Sequence, residues 1–118
     1  MKHIYIASSV ILNSKNELLL VRKNGSKYFQ LTGGKMESDE SEIETVIREV
    51  KEEIGLNVSM DQLTYLGEHQ TQAVNEINTI VHGSIFIIQL NEEFEPNIAN
   101  EIEELTWLNR NNYTKYQW

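Results

Sequence analysis

Residues 33–56, GGKMESDESEIETVIREVKEEIGL, carry the clearest local structural signal in the chain. Ser41 is followed three residues later by Glu44, a capping-box pattern that predicts the start of a helix. The helix is predicted to end at Ile54, because Gly55 is the kind of residue that caps helix C-termini. A short extended piece is predicted to end at the paired glycines in front of this helix.

The predicted helix carries a large excess of negative charge. Residues 37–53 contain eight carboxylates and only two basic side chains. With about 100° between successive residues, Glu49, Glu52 and Glu53 fall in one stripe. An apolar face suited to packing on a sheet lies beside this stripe, and it comprises Ile43, Val46, Ile47, Val50 and Ile54. The helix is therefore predicted to be amphipathic, with an acidic stripe that borders its buried face.

Two interpretations of the acidic stripe stay open from the helix alone. Like charges three and four positions apart destabilise a helix by about a few tenths of a kcal/mol per pair, and most such charge runs are solvated surfaces. Alternatively, oxygen ligands on one rigid face suit a hard divalent cation such as Mg²⁺ or Mn²⁺. Zinc is not favoured, because no histidine or cysteine lies nearby in the sequence.

The remaining sequence predicts β-strands, turns and one acidic loop. Strands are predicted at residues 3–12, 18–23, 63–74, 78–90 and 102–108, with a short extended piece at 28–31. Turns are predicted at 13–17, which would make the first two strands a hairpin, and at 75–78, with an acidic loop at 91–101. One helix among several strands predicts a single α/β domain over residues 1–118 with a mixed sheet, since a chain of this length supports one core.

Composition restricts the partners and the compartment. The net charge of −8 argues against a nucleic-acid duplex or an anionic membrane as the main partner, because both attract basic surfaces. The lack of cysteine excludes disulfides and thiolate chemistry and is compatible with the cytoplasm, which is the expected location. Ser8 and Ser9 interrupt the N-terminal apolar stretch, which favours a first strand over a signal peptide. A homodimer stays open.

The spacing within residues 34–56 resembles the signature of the Nudix hydrolase family, which includes MutT-like proteins. That signature reads G-x5-E-x7-R-E-U-x-E-E-x-G-U, with U aliphatic, and every fixed position is matched over 23 residues. The sequences ELLLVRK before this box and EIEELTWL after it also resemble strands of the family, so that the resemblance covers about residues 3–108. It implies the Nudix fold, a mixed β-sheet sandwiched between α-helices as an α/β/α sandwich.

The resemblance also implies a reaction. This is the Mg²⁺-dependent hydrolysis of a phosphoanhydride bond in a nucleoside diphosphate linked to another moiety, as in a nucleoside triphosphate, an oxidised nucleotide or a nucleotide sugar. Glu49, Glu52 and Glu53 would be the catalytic residues that ligate Mg²⁺, or Mn²⁺ as a substitute, with the Gly34 carbonyl as a further ligand. The chemistry is consistent, because a divalent cation would neutralise both the acidic helix and the substrate phosphates.

Further box residues receive roles from the same resemblance. Arg48 would act in the catalytic site by orienting the carboxylates through ion pairs. Glu40, Gly33 and Gly55 would keep the box in shape, and one glutamate of the cluster or of a later loop would be the general base. Thr32 departs from the family, which usually has proline before the paired glycines, so that a less rigid turn is expected there.

Five residues outside the box are weaker candidates. In the family that the box resembles, a basic residue at the end of the second strand can contact substrate phosphate. Lys23 is the better match for this role and Arg22 the other candidate, and Phe29 would stack on a base. The alternatives are an exposed strand end for the two cations and a core position for the aromatic ring. Glu101 and Glu104 would supply an extra metal ligand or the base, and the alternative for both is a solvated acidic loop.

Two further positions bear on the site. Residues 73–78 would line the substrate pocket from a loop. Asp39, where the family often has glycine, would require only a small adjustment of the turn.

Two functions other than hydrolysis stay open. A non-catalytic Nudix-fold nucleotide-binding or regulatory module is the main alternative, although it has no need of all three glutamates. An acidic interaction domain would leave the box spacing unexplained. The identity of the substrate is not predicted, because the box lies beside the diphosphate rather than beside the base.

Overall fold

The computed structural model describes residues 1–73 and 76–116, which form a mixed sheet and one α-helix. The strands are β1 (Lys2–Leu12), β2 (Leu18–Lys23), β3 (Thr32–Lys35), β4 (Leu63–Gln72), β5 (Thr79–Gln89) and β6 (Ile102–Leu108). The helix is α1 (Glu42–Ile54), and short 3-10 turns occur at Met60–Gln62 and Tyr113–Lys115. The predicted mixed sheet and the α/β character are thus confirmed.

The sheet is built around β1. Its strand order is β4-β5-β1-β2-β6, and β3 also pairs with β1. β1 and β5 run parallel along their whole length, whereas β4 pairs with β5 and β2 with β6 in antiparallel fashion. The first strand of the chain therefore has neighbours on both sides and forms the middle of the fold.

The predicted hairpin of β1 and β2 exists only at its base, where Leu12 pairs with Leu18. Beyond that pair the segment that leads into β3 lies between the two strands. Gln30 forms a bridge to Val21 of β2, and β3 pairs in antiparallel fashion with β1. The paired glycines, which the sequence placed at the end of an extended piece, are therefore part of a strand against β1.

The helix agrees closely with its prediction. The Ser41 hydroxyl accepts a hydrogen bond from the Glu44 backbone N–H at 3.1 Å, and the Glu44 carboxylate accepts one from the Ser41 N–H at 2.9 Å. Gly55 caps the C-terminus with a left-handed φ of 73°. Ile43 and Ile47 are only partly buried, and the fully buried positions of α1 are Thr45, Val46, Val50, Glu53 and Ile54.

Packing of α1 on β1 and β3 places the box beside the sheet centre. Ala7 and Ile11 of β1, both fully buried, belong to one apolar cluster with Val46 and Val50 of α1. Within the described part of the chain α1 is the single α-helix, so that the helical cover on both faces implied by the family is not formed by these residues. No helix among the described residues is long and apolar enough to cross a bilayer.

Two predicted segments lie partly outside the described residues. The strand predicted at 63–74 ends as β4 at Gln72, and residues 74 and 75, which belong to that strand, to the predicted turn and to the proposed pocket loop, are not described. On the far side of this gap Asn78 has a positive φ of 56°, which is typical of a turn residue. β6 has the predicted bounds, and the acidic loop before it contains no strand.

Candidate active site

A cleft of about 680 Å³ lies between β1, β3 and the acidic side of α1. Its volume is within the range usual for small-molecule sites. The residues that line it are Ile6, Ser8, Lys23, Gln30, Leu31, Gly33, Gly34, Lys35, Glu49, Glu52 and Glu101. The fold thus brings the glycines of β3, the carboxylates of α1 and one cation of β2 to the same place.

Close contacts surround both glycines of β3. A Cβ on Gly33 would collide with the backbone of β1, and its φ of 148° is strained for any other residue. A Cβ on Gly34 would lie 2.6 Å from a carboxylate oxygen of Glu49. Because neither residue has a side chain, β3 approaches β1 on one side and the Glu49 carboxylate on the other.

Glu53 is the most deeply buried carboxylate of the site, with 1% of its surface exposed. Its Oε1 accepts a hydrogen bond from the Gly33 backbone N–H at 2.9 Å. Its Oε2 is buried and has no hydrogen-bond partner, and the nearest cation is the Lys23 Nζ at 3.8 Å. Burial raises the pKa of Glu53 from the ordinary 4.5 to about 7, against the opposing effects of the Gly33 N–H and Lys23.

Glu49 and Glu52 differ from Glu53 in exposure and in partners. Glu49 is partly buried and accepts a hydrogen bond from Arg48 Nη1 at 2.8 Å. Burial raises the pKa of Glu49 in spite of this contact. Glu52 is exposed, and its Oε2 lies 3.4 Å from the same guanidinium nitrogen. Arg48 therefore contacts both Glu49 and Glu52, the two carboxylates of the stripe that are less buried than Glu53.

Arg48 links the helix to the loop that precedes it. Its Nε and Nη2 donate to the two carboxylate oxygens of Glu40 at 2.6 and 2.9 Å, and Nη2 also donates to the Lys35 carbonyl at 3.2 Å. The hydrogen bonds from Arg48, followed by that from the Glu37 N–H, lower the pKa of Glu40 to about 2. The paired geometry is that of a strong arginine–carboxylate contact, which restricts the guanidinium and hence the Glu49 carboxylate.

Two buried threonine side chains, Thr32 and Thr45, form hydrogen bonds around the box. Thr32 is fully buried, and its Oγ1 lies 2.8 Å from the Oγ of the equally buried Ser9 on β1. The Thr45 hydroxyl donates to Glu40 at 2.9 Å and so adds a bond to the acid that holds the arginine. Asp39 is exposed in the turn before the helix.

The structure separates the five weaker candidates into two groups. Lys23 and Glu101 line the cleft, but Arg22, Phe29 and Glu104 do not. Arg22 Nη2 lies 3.2 Å from Glu104 on β6, and its guanidinium lies 5.9 Å from the centre of the buried Phe29 ring. The β2–β6 pairing is irregular between Arg22 and Lys23. Of these two adjacent cations, Lys23 lines the cleft and Arg22 does not.

Several cleft residues were not predicted from the sequence. Ile6 and Ser8 reach the cleft because they alternate along β1 with the buried Ala7 and Ser9. Lys35 pairs with Ile6 across β1 and β3, directly after the box glycines. The alternation in β1 was readable, but the pairing of β3 with β1, which brings these residues to the box, was not.

Part of the proposed pocket loop lies in a neighbouring hollow of about 360 Å³. Ala73 and Glu76 line that hollow together with Thr71 and Gln72, and it shares Ile6 and Lys35 with the cleft. The rest of the proposed loop, residues 74 and 75, lies outside the described residues.

The carboxylates of the box do not yet surround a common point. Within residues 1–73 and 76–116, no three carboxylate, imidazole or thiolate groups are arranged at metal-binding distance around one position. Glu49 is engaged by Arg48, and Glu53 is approached by Lys23. The side chains that would meet on a cation therefore have other cationic partners in this conformation.

Comparison with known proteins identifies a family and relatives of the chain. The NUDIX domain family matches residues 2–118. The mRNA-decapping enzyme subunit 2 of Saccharomyces cerevisiae (strain YJM789) is 30% identical over 109 residues, which are 90% of this chain and 11% of that protein. A putative 8-oxo-dGTP diphosphatase of Bacillus subtilis (strain 168) is 29% identical over 76 residues, 64% of this chain and 50% of that protein.

A solved structure agrees with the fold. The MutT protein from Methanosarcina mazei Go1 superposes with a TM-score of 0.75 at 26% identity, covering 91% of this chain and 77% of that one. The chain spans only 11% and 50% of the lengths of the two curated relatives above, so that the similarity concerns one part of each.

Proposed function

The chain belongs to the Nudix family, and on this basis we propose that it hydrolyses a phosphoanhydride bond in a nucleoside diphosphate linked to another moiety, with Mg²⁺ as cofactor and Mn²⁺ as a substitute. One observation carries the proposal. The buried Oε2 of Glu53 lacks a hydrogen bond beside the cleft that Glu49, Glu52 and Gly34 line. A buried polar atom without a partner is costly, and a cation ligated there would remove that cost.

The donor set fits a hard divalent cation. Glu49, Glu52 and Glu53 would hold it together with the Gly34 carbonyl, and all of these ligands are oxygens, which Mg²⁺ and Mn²⁺ prefer. When bound, the cation would neutralise the phosphates and act as a Lewis acid on their oxygens. Glu101, which lines the same cleft, would be a further ligand or the base.

The protein's own side chains would orient the reaction. Arg48, held by Glu40, fixes the position of the Glu49 carboxylate, and Lys23 offers an ammonium group to a phosphate in the cleft. Water attacks one phosphorus atom, the bridging P–O bond breaks, and the leaving phosphate takes the electron pair. A carboxylate of the box or of Glu101 accepts the proton of the water. Among these groups, Glu49, Glu52 and Glu101 line the cleft.

The substrate is proposed to be a small nucleotide. The name of one relative, an 8-oxo-dGTP diphosphatase, supports a nucleotide that contains a phosphoanhydride bond. The volume of the cleft accommodates a nucleotide, and the net charge of −8 disfavours a nucleic-acid duplex and an anionic membrane. Nucleoside triphosphates, oxidised nucleotides and nucleotide sugars all contain the required bond.

The test is the release of phosphate or pyrophosphate from a panel of such nucleotides, with and without Mg²⁺. Glu53→Gln should lower the rate by about two orders of magnitude or more, since it removes a ligand used in the chemical step. Glu42→Gln, the same change at the other end of α1, is the matched control and should behave as wild type. Nucleotide binding without turnover would favour the regulatory module, and turnover that needs no metal would contradict the proposal.

A further inference from the structure

Lys23 and Glu53 form a contact with unusual properties. The Lys23 Nζ lies 3.8 Å from Glu53 Oε2, which is within ion-pair distance but too long for a hydrogen bond. Lys23 is partly exposed, whereas Glu53 is buried. The lysine therefore approaches the buried carboxylate from the cleft and supplies charge without satisfying the oxygen.

The orientation of Glu53 does not depend on this lysine. Glu53 Oε1 is held by the Gly33 N–H at 2.9 Å, whereas the lysine contact is made to the other oxygen, Oε2. A lysine side chain is long and flexible, so that it can leave Oε2 at little cost. Glu53 would keep its position while its second oxygen changes partner.

The neighbouring cation is held differently. Arg22 donates to the Ser26 carbonyl at 3.0 Å and to Glu104 at 3.2 Å, and it does not line the cleft. Lys23 lines the cleft, and its backbone continues to Asn24, whose N–H donates to the Glu101 carbonyl at 3.0 Å. Of the two adjacent cations, one is fixed outside the site and the other is loosely paired inside it.

We propose that Lys23 is a replaceable counter-ion of the metal site. It neutralises Glu53 in the metal-free protein, gives up Oε2 when a divalent cation binds, and then contacts the phosphates of the substrate. This inference rests on the function proposed above and adds an exchange of partners to it. A divalent cation on Oε2 would repel the ammonium group of Lys23, because like charges a few ångströms apart interact strongly in a partly desolvated site, and this repulsion favours the departure of the lysine.

The exchange makes Lys23 act in opposite directions on two ligands. It competes with the metal for Glu53, so that its removal should tighten metal binding. It attracts phosphate, so that its removal should weaken binding of the diphosphate group. A lysine that served only to stabilise the fold would produce neither effect, and one that served only as a phosphate contact would produce the second alone.

The experiment measures Mn²⁺ binding by electron paramagnetic resonance in protein without nucleotide, and then binding of inorganic pyrophosphate at saturating Mn²⁺ by calorimetry. In Lys23→Met we expect Mn²⁺ to bind about tenfold tighter, from the loss of a like charge a few ångströms away. Pyrophosphate should bind about tenfold more weakly, from the loss of a charge-assisted contact. Lys23→Gln should repeat both effects, and Lys23→Arg, which keeps the charge, should stay close to wild type in Mn²⁺ affinity.

Lys15→Met is the control for net charge, because Lys15 is exposed in the turn before β2 and does not line the cleft. It should change neither affinity. Unchanged or weaker Mn²⁺ binding in both neutral variants of Lys23 would overturn the exchange, and so would equal tightening in Lys15→Met. Unchanged pyrophosphate binding would overturn the phosphate contact. Failure of the wild-type protein to bind Mn²⁺ at all would instead contradict the proposed function, and the exchange with it.

Discussion

Replacement of Glu53 by glutamine should stabilise the metal-free protein while it removes the proposed activity. The carboxylate is buried, one of its oxygens has no hydrogen bond, and its pKa is raised from 4.5 to about 7. Ionised Glu53 therefore lowers the stability of the folded state. Glutamine keeps an oxygen that can accept the Gly33 N–H and carries no charge.

The magnitude follows from proton linkage. A carboxyl group whose pKa is raised on folding binds its proton more tightly in the folded than in the unfolded protein. The free energy of unfolding therefore falls as the pH rises from about 4.5 to about 7. Above that range the ionised Glu53 carboxylate destabilises the folded state to its full extent. A shift from 4.5 to about 7 corresponds to about 3 kcal/mol, or about 10 °C in the midpoint of thermal unfolding for a domain of this size.

The assay is urea and thermal unfolding in the presence of a chelator, at pH 8 and at pH 5. Glu53→Gln should exceed wild type by about 3 kcal/mol at pH 8, and the difference should shrink as the pH approaches 5, where the carboxyl of the folded protein is protonated. Glu42→Gln should show no such pH-dependent gain. If Glu53→Gln is less stable than wild type at pH 8, or if its advantage does not change with pH, the reasoning from burial is refuted.

Three further changes test the contacts around the cleft. Gly33→Ala should destabilise the protein by about 3 kcal/mol or more, because its Cβ would strike β1 at a strained φ; urea unfolding measures this, and a loss below 1 kcal/mol would contradict it. Arg48→Lys should weaken Mn²⁺ binding about 10- to 100-fold, because lysine cannot hold Glu40 through two bonds; an unchanged titration would show that orientation does not require the arginine. Thr32→Val should cost about 1 to 2 kcal/mol in thermal unfolding, since it leaves the Ser9 hydroxyl buried without its partner, and no loss would mean that another group satisfies it.

The helix of the box could be predicted almost completely from the sequence because its signals are local. Ser41 and Gly55 cap the helix within one residue of the predicted bounds. The helical angles also placed the acidic stripe at the border of the apolar face, and the structure buries Glu53 of that stripe and exposes Glu52. Such features depend on residues three or four positions apart, which a sequence displays directly.

The surroundings of the helix could not be predicted in the same way. The insertion of β3 between β1 and β2 depends on contacts between distant segments, and the hairpin pattern at residues 13–17 gave no sign of it. The division between Arg22 and Lys23 coincides with an irregularity in strand pairing, and that between Glu101 and Glu104 with the point at which β6 begins. The pairing of distant segments places β3 and Glu101 beside the box, and side-chain type alone does not report it. The separation of adjacent strand residues such as Arg22 and Lys23 follows an alternation that a sequence does display.

The parallel pairing of β1 with β5 also has a consequence for the order of folding. The partners lie 77 positions apart along the whole ladder, from Lys2 with Thr79 to Leu12 with Gln89. Closing so large a loop carries an entropic cost that must be met before the pairing contributes, and contacts of this kind slow folding. During synthesis β1 leaves the ribosome before β5, and the pairing of the two strands cannot be completed until residue 89 has emerged. The capped helix, which needs only local contacts, is therefore expected to form early, and assembly of the central strand pair to set the folding rate.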